Sequence, residues 1–367
     1  MSDRYMKALR TMVERECYWN NIKIGHAQKN NKQYVIFPAG LYAQKFYEVL
    51  KKECRIDIAF FVDNNPKLAN TFVCGKEIKS FESVFTKESC NEYFVLIPTV
   101  DIYYRQIAKQ LDDVGCGVAY VRGDTYLINH LLERYKNVAD LLEDDFSKIS
   151  YWGAVYNLLT GDNRFILTDP APQYHGINEF SYLENEIVVD AGAYVGDSIE
   201  GFISRSKIGN IKIYAFEPLD ELIVKINKRT NRINNEWALD DGIIEVIHAG
   251  LGVETKKQLF TYASASVLTY AETGGMEILI YSLDDYFHNK TPFTFLKADI
   301  EGGEMDMLIG AREIIKKYKP KMALSIYHLA IDFIRIAEYI QSLTPEYRFY
   351  IRTHFFDYRD TILYCVI

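Results

Sequence analysis

The sequence predicts an α/β protein with two Rossmann-like, doubly wound domains, and three observations lead to this. First, short apolar strands alternate with amphipathic helices between about residues 31 and 125. Second, the same alternation begins again near residue 180. Third, residues 187–198 read IVVDAGAYVGDS, which is an apolar strand, a glycine turn and the start of a helix. A chain of 367 residues is long enough for two such domains.

The composition and net charge of the chain limit which kinds of molecule it is expected to bind. Hydrophobic residues make up 49% of the chain and charged residues 25%, which is typical of a folded globular protein. The formal net charge of −8 argues against general binding to nucleic acid or to an anionic membrane. The sequence has no apolar stretch of membrane-spanning length and no apolar signal core in its first residues, so we expect no membrane insertion. The six cysteines show no C-x-x-C spacing, which favours reduced thiols and a cytoplasmic location.

The first third of the chain is expected to hold a helical segment and a small domain. Apolar residues at helical spacing predict a helix within residues 1–30. Strands predicted at 34–37, 56–62 and 93–97, with helices between them, define a Rossmann-like domain over residues 31–125.

The first turn of this domain is a poor dinucleotide site. It keeps Gly40, while Pro38 and Ala43 stand where a dinucleotide fingerprint has its other glycines. We therefore expect a recognition or dimerisation domain, with a homodimer as one arrangement, and a nucleotide or nucleotide-sugar ligand as the alternative. Residues 126–172 predict a helical linker, and residues 173–367 the second α/β domain.

The glycine turn of this second domain carries the main cofactor signal. A dinucleotide fingerprint, G-x-G-x-x-G, needs a middle glycine so that a pyrophosphate can approach the backbone. Tyr194 stands at that position and would fill the space, which disfavours a dehydrogenase. The remaining pattern, Asp-x-Gly-x-x-x-Gly, resembles motif I of class I S-adenosylmethionine (SAM) methyltransferases, in which the amino-acid end of SAM lies over the turn. We therefore expect SAM to contact Asp190, Gly192, Ala193, Tyr194, Gly196, Asp197 and Ser198.

Two further strand ends are expected to complete the cofactor site. Glu217, followed by Pro218, ends the next predicted strand, near the ~20-residue spacing at which an acidic residue accepts hydrogen bonds from both ribose hydroxyls. A helix cap or a surface acid is the structural alternative for this carboxylate. The third strand, at 243–247, leads into Ala249 and Gly250, a tight turn that we expect to pass near the adenine ring.

The second domain resembles one family in particular. The segments VVDAGAYVGDS, IYAFEP, LKADIEGGEMDMLIGA and KYKPKMALSIYH are similar to conserved blocks of the FkbM family of SAM-dependent methyltransferases, occur in that family's order and cover most of residues 173–366. The resemblance implies a seven-stranded class I methyltransferase fold. It also implies O-methylation of a hydroxyl group, often on a sugar, a glycan precursor or a secondary metabolite. The expected acceptor is thus a small molecule or glycan, such as a sugar, sugar-phosphate or surface-polysaccharide precursor.

Asp299, Glu301, His328 and His354 follow the later strands, so we expect them beside the reacting methyl group. Three interpretations remain open. In the first, Asp299 contacts the amino group of SAM, and His328 or Glu301 is the base that takes the acceptor's proton. In the second, which we favour less, carboxylates and histidines hold a divalent cation. In the third, they only cap and hydrogen-bond the fold. Asp299 and Glu301 are also expected to share one face of a strand.

Other features carry weaker predictions. Tyr174 is assigned to the cofactor site within residues 173–175, which could fold over the cofactor as a lid or form an ordinary loop. Ser264 and Ser266 lie in a run of small residues that could line the acceptor pocket. The alternatives to O-methylation are N-methylation of a small amine or phosphoramide-type group, and a non-catalytic SAM-binding or scaffolding protein.

Overall fold

The computed structural model describes residues 2–86, 88–115, 119–178, 180, 184–206, 211–262, 268–270 and 275–367. The chain divides into two compact units. Unit 1 comprises Met1–Ala139 and Trp152–Ile166, and unit 2 comprises Asp140–Tyr151 and Leu167–Ile367. The segment 126–172, expected as a separate linker, is thus shared between the two units. Within the described part of the chain, none of the helices combines the length and the apolar character that a bilayer span requires.

The elements up to residue 166 begin with one long helix and continue with alternating strands and helices. They are α1 (Ser2–Lys29), β1 (Gln33–Ile36), α2 (Leu41–Cys54), β2 (Phe61–Asp63), β3 (Phe72–Val73), β4 (Lys76–Ser80), α3 (Phe81–Val84), a 3-10 helix (Cys90–Glu92), β5 (Tyr93–Ile97), α4 (Asp101–Asp113), β6 (Ala119–Arg122), α5 (Gly123–His130), α6 (Leu132–Leu141) and α7 (Asp145–Thr160).

Unit 1 is built on a mainly parallel sheet. Its strands, as far as they are described, follow the order β3-β4-β2-β1-β5-β6, and all neighbours pair in parallel except β3 with β4. Apolar side chains from the central strands, including Val35, Val62 and Val95, form a core with residues of α3 and α4. The α/β class predicted for this part of the chain is confirmed.

β2 is shorter than the predicted strand at 56–62. The side chain of Asp57 accepts hydrogen bonds from the hydroxyl of Tyr47, at 2.6 Å, and from the backbone N–H of Ile58, at 3.0 Å. Such local bonds to a carboxylate compete with the ladder bonds of a strand. The regular strand therefore begins only at Phe61.

The elements of unit 2 after residue 166 repeat the strand–helix alternation. They are β7 (Glu186–Ala191), α8 (Asp197–Arg205), β8 (Ile211–Glu217), α9 (Asp220–Glu236), β9 (Ile244–His248), β10 (Gly250–Leu251), β11 (Lys256–Tyr262), β12 (Leu268–Tyr270), β13 (Met276–Tyr281), α10 (Leu283–Tyr286), β14 (Phe295–Ala298), α11 (Glu304–Ile309), α12 (Arg312–Tyr318), β15 (Lys321–Ser325), α13 (Asp332–Leu343), β16 (Arg348–Thr353) and β17 (Thr361–Val366).

The main sheet of unit 2 has, within the described residues, seven strands in the order β16-β17-β15-β14-β7-β8-β9. The strands from β15 to β9 are parallel, whereas β17 runs antiparallel to both of its neighbours. β7 and β14 lie at the centre, and their apolar residues, such as Val188 and Phe295, are fully buried. Continuous apolar sequence is what a strand covered on both faces requires. The predicted seven-stranded fold is confirmed.

A second, smaller sheet in unit 2 was not predicted. β10, β13, β11 and β12 pair in that order, between β9 and β14 in the sequence. Its longest pairing joins β11 and β13 as antiparallel strands, with Lys256 opposite Ile280. The sequence MEILIY of β13 has the β-branched character of a strand, but it carries no residue of the expected site.

Candidate functional site

The site is built around the glycine turn that follows β7. Gly192 and Gly196 have positive φ angles, both 74°, and α8 begins at the next residue, Asp197. A Cβ atom on Gly192 would lie 1.9 Å from the carbonyl oxygen of Asp299. Only glycine therefore fits there, both because of its backbone angle and because the chain after β14 passes so close. The turn lies between β7 and β14, where the strand order reverses, and this is where open α/β sheets bind their ligands.

Asp190 lies near the end of β7, directly before the glycine turn, and is paired with residues on both sides of it. Its carboxylate is fully buried, accepts a 2.5 Å hydrogen bond from the hydroxyl of Ser198, and lies 2.9 Å from Nζ of Lys297. Lys297 also donates to the carbonyl oxygen of Gly192 at 2.7 Å. Burial lowers the pKa of Lys297, but the nearby carboxylates of Asp190 and Asp299 outweigh it and raise this pKa overall. The buried ion pair thus joins β14 to the glycine turn.

Glu217, at the end of β8, faces the same turn. Its Oε2 accepts the backbone N–H of Tyr194 at 3.0 Å, and its Oε1 accepts that of Leu219 at 3.1 Å. Burial raises the pKa of Glu217 to about 7 although both N–H groups act in the opposite direction. Each carboxylate oxygen has a second lone pair, so Glu217 can accept two further donors. The Tyr194 side chain itself is 51% exposed.

The remaining residues assigned to the cofactor lie along the same edge of the sheet. Ala249 is fully buried, and a Cβ atom on Gly250 would lie 3.8 Å from Cβ of Pro218. Ala193 is buried within the core of unit 2, whereas Asp197 is exposed at the start of α8. The turn after β9 and the residue after β8 are therefore neighbours, and their contact with adenine stays a prediction.

Asp299 is held by two tyrosines. The hydroxyl of Tyr174 donates to Oδ2 of Asp299 at 2.9 Å, and the hydroxyl of Tyr327 lies 3.1 Å from Oδ1 and 3.3 Å from Oδ2. The Tyr174 ring also lies 5.2 Å from Nζ of Lys297, measured to the ring centroid. Tyr174 is 8% exposed, and its hydrogen bond to Asp299 connects it to the residue that directly follows β14.

Glu301 and Asp299 do not share a strand face. β14 ends at Ala298, and Glu301 has a φ of 58° in the turn that follows, so that expectation is wrong. The turn exists because the chain reverses into α11, whose residue Glu304 accepts the backbone N–H of Ile300 at 2.8 Å. Glu301 instead approaches the imidazole of His328, with 3.6 Å between Oε2 and Nε2.

His328 is the centre of an acidic cluster. Besides Glu301, its Nε2 lies 3.4 Å from Oδ1 of Asp299, and its Nδ1 lies 3.1 Å from Oε1 of the fully buried Glu304. Burial lowers the pKa of His328, but the three carboxylates, led by Glu304, outweigh it and raise this pKa to about 9. In this state the imidazole carries a proton near neutral pH, which a base would first have to lose.

His354 belongs to a different network. Its Nδ1 lies 3.1 Å from the carbonyl oxygen of Ala171, its Nε2 lies 3.1 Å from the hydroxyl of Tyr364, and burial lowers its pKa. His175 packs edge-on against Phe202 at 5.6 Å between ring centroids. Ser264 and Ser266 lie outside the described residues.

Three residues of the site, Lys297, Glu304 and Tyr327, were not predicted from the sequence. Lys297 could have been found, since a lysine within the apolar strand FLKA must be buried and therefore paired. Glu304 follows a glycine pair at a helix start, where an acid reads as a favourable helix-end charge. Tyr327 gave no signal beyond its position before His328.

The chain is similar to known methyltransferases. The family model for the methyltransferase FkbM domain matches residues 190–359. The crystal structure of methyltransferase FkbM from Methylobacillus flagellatus KT is 20% identical, with a TM-score of 0.59, and the match covers 98% of this chain and 100% of that chain. No curated protein matches the chain.

Two other solved structures are similar over about half of the chain. An rRNA methylase from Streptococcus thermophilus is 16% identical over 50% of this chain and 86% of that chain, with a TM-score of 0.32. Fibrillarin from Aeropyrum pernix, in complex with natively bound S-adenosyl-L-methionine, is 12% identical over 50% of this chain and 67% of that chain, with a TM-score of 0.30. The matched family segment contains Asp190, Glu217, Asp299 and His328. Residues 190–359 of this chain therefore match the FkbM methyltransferase domain, and the chain has a class I methyltransferase fold.

Proposed function

We propose that this protein is a SAM-dependent methyltransferase that O-methylates a sugar, a sugar phosphate or a surface-polysaccharide precursor in the cytoplasm. The observation that carries SAM as the cofactor is the pairing of the glycine turn with Glu217, a buried carboxylate that has acceptor capacity left. The FkbM domain supports methyl transfer as the reaction. The nature of the acceptor rests on the family resemblance and on the acidic cluster beside the turn.

The residues present fit SAM. Tyr194 stands at the second glycine position of a dinucleotide fingerprint, which disfavours the close backbone approach that a pyrophosphate needs. Gly192 lets the turn approach Asp299 closely, and Asp299 would accept from the amino group of the cofactor. Glu217 would accept the ribose hydroxyls, and Pro218 with Gly250 would border the adenine.

When bound, SAM supplies an electrophilic methyl group whose transfer to oxygen breaks the carbon–sulfur bond and leaves a neutral thioether. The protein's part is to hold the acceptor oxygen in line with that methyl group, which lowers the entropic cost of reaction. A hydroxyl also has to lose its proton, and the half-exposed Glu301 is placed to receive it, directly or through water, whereas His328 can receive it only after giving up its own proton. Tyr174 and Tyr327 keep the Asp299 carboxylate fixed while this occurs.

The proposal is tested by binding and by turnover with the full-length chain. Calorimetry with SAM, with S-adenosylhomocysteine and with NAD⁺ is expected to give binding of the first two only. Incubation with SAM and a panel of nucleotide sugars and capsule precursors is expected to yield a product that is one methyl group heavier. The new methyl group is expected on oxygen. A methyl group on nitrogen would replace the O-methyl assignment. Tight SAM binding without turnover of any acceptor would favour a scaffolding protein, and NAD⁺ binding would overturn the proposal.

A further inference from the structure

The acidic cluster around His328 contains polar atoms that lack hydrogen-bond partners. Among the described residues, Oε2 of Glu304 and both ring nitrogens of His328 are buried and accept or donate no hydrogen bond. Glu304 is fully buried, and the His328 side chain is 10% exposed. Nδ1 of His328 lies 3.1 Å from Oε1 of Glu304, which also accepts the backbone N–H of Ile300, so the pair leaves Oε2 of Glu304 without a donor. Leaving such groups unsatisfied costs about 1–3 kcal/mol each, and more when charged.

The side chains of Glu304 and His328 converge with the carboxylate of Asp299. One ligand atom from each of Asp299, Glu304 and His328 can be chosen so that all lie within 4.8 Å of one another. Atoms about 2.1 Å from one ion are at most about 4.2 Å apart, so small side-chain rotations close the set around an ion. Two carboxylates and an imidazole suit a divalent first-row cation such as Mn²⁺ better than Ca²⁺.

The charges of the cluster favour a cation. Carboxylates of Asp299, Glu301 and Glu304 all lie within 3.6 Å of a nitrogen of His328. One imidazolium offsets only one of these three negative charges, and Glu304 is fully buried, where a charge needs a partner or a metal. The side chains of Asp299 and Glu301 are 23% and 51% exposed. The nearby buried Asp332 is already paired with Arg335, at 2.5 Å.

We propose that Asp299, Glu304 and His328 bind a divalent cation beside the glycine turn, and that this cation holds the acceptor hydroxyl for methyl transfer. Glu301, which is half exposed, borders the site on the side open to solvent. A cation bound to the acceptor oxygen lowers the pKa of the hydroxyl, so that its proton leaves to water or to a nearby carboxylate. The cation-binding part stands on geometry alone, whereas the acceptor part rests on the proposed methyltransferase function.

The ion itself is tested by titrating Mn²⁺ into EDTA-stripped, dialysed full-length protein and following the electron paramagnetic resonance signal of free Mn²⁺. We expect one ion per chain with a Kd of about 100 μM or lower. Glu304→Gln and Asp299→Asn, which keep the side-chain shapes, are expected to weaken binding at least tenfold. Asp306→Asn, an exposed acid on the same helix, is the control and is expected to bind as wild type does.

Each outcome decides a separate point. A free Mn²⁺ signal that stays unchanged up to about 1 mM, or equal binding by wild type and both variants, would overturn the cation site. Circular dichroism shows whether Glu304→Gln or Asp299→Asn fails to fold. If one of them does, Mn²⁺ binding by the other variant decides whether the cation site exists. Methyl transfer at the full rate after EDTA dialysis would overturn the acceptor role. Absence of SAM binding would instead overturn the proposed function and leave the Mn²⁺ result standing.

Discussion

Tyr194 donates its backbone N–H to Oε2 of Glu217 across 3.0 Å, so the glycine turn after β7 is attached to the carboxylate that ends β8. Unit 1 has the same relationship within its own sheet. There Ala39, in the turn after β1, donates its backbone N–H to Oδ2 of Asp63, at the end of β2, also across 3.0 Å. In both units, the acid at the second strand end fixes the turn that follows the first strand.

Glu217→Ala is expected to weaken SAM binding by about 100-fold, because two hydrogen bonds to a charged acceptor contribute about 3 kcal/mol together. Calorimetry with SAM gives the change in Kd. Glu221→Ala, at an exposed position of α9, is the matched control. Equal affinity of the Glu217 variant and wild type would remove the ribose assignment.

SAM affinity is expected to rise with pH because the pKa of Glu217 is raised to about 7 by burial. The ionised form accepts hydroxyl donors, and it is the minor form below that pKa. Between pH 6 and pH 8 its share grows from about one tenth to about nine tenths, so the Kd should fall about tenfold. Glu217→Gln should abolish this dependence in the same titrations. A pH-independent Kd for wild type would contradict the prediction.

The raised pKa of Glu217 also affects the stability of the fold, which is expected to fall as the pH rises, whereas SAM affinity is expected to rise. A carboxyl group whose pKa is raised from 4.5 to about 7 disfavours the folded state once it ionises. Its contribution to stability is therefore fully present below pH 4.5 and is lost as the pH rises through 7. Denaturant melts of wild type and Glu217→Gln, compared from pH 5 to pH 8, should converge in the acid range and separate towards pH 8, with the variant the more stable. A constant difference between them would contradict this.

Gly192→Ala should destabilise unit 2 severely. The new Cβ would meet the carbonyl oxygen of Asp299 at 1.9 Å, in addition to the strain of a φ of 74°. Gly242→Ala separates the two effects, because Gly242 has a φ of 81° and its Cβ would meet nothing within 4 Å. The control should cost about 1–2 kcal/mol in denaturant unfolding, and Gly192→Ala clearly more. Similar losses in both variants would show that the close approach to Asp299 is unimportant.

Lys297→Met should cost about 3–5 kcal/mol of the free energy of unfolding of unit 2, since it leaves the buried Asp190 carboxylate unpaired. Urea unfolding measures the loss. Adding Asp190→Asn to the same chain removes the orphaned charge and should restore part of the stability. A double variant no more stable than Lys297→Met would argue against charge pairing as the cause.

His328→Ala should lower kcat by a factor of about 100 or more while SAM affinity changes little, because His328 is proposed to act on the acceptor hydroxyl, whereas SAM is assigned to the glycine turn and Glu217. Steady-state kinetics and calorimetry separate the two quantities. His288→Ala, at an exposed position after α10, is the control. Full activity of the His328 variant would exclude it from proton transfer and from acceptor binding.

The sequence by itself determined the α/β class and the strands that carry the site. Apolar runs such as VVDA and the glycines after them are local signals, because a buried parallel strand and a positive φ each restrict the residue types at single positions. The position of Glu217 at a strand end followed from the same local pattern.

Only the tertiary structure decided which of these residues meet. The 1.9 Å approach that requires Gly192 comes from a chain segment more than a hundred residues later, and the pairing of Lys297 with Asp190 depends on β14 lying beside β7. The cluster of Asp299, Glu304 and His328 likewise arises from the turn after β14, the start of α11 and the residues after β15. Such contacts depend on strand order and on burial, which no local sequence pattern specifies.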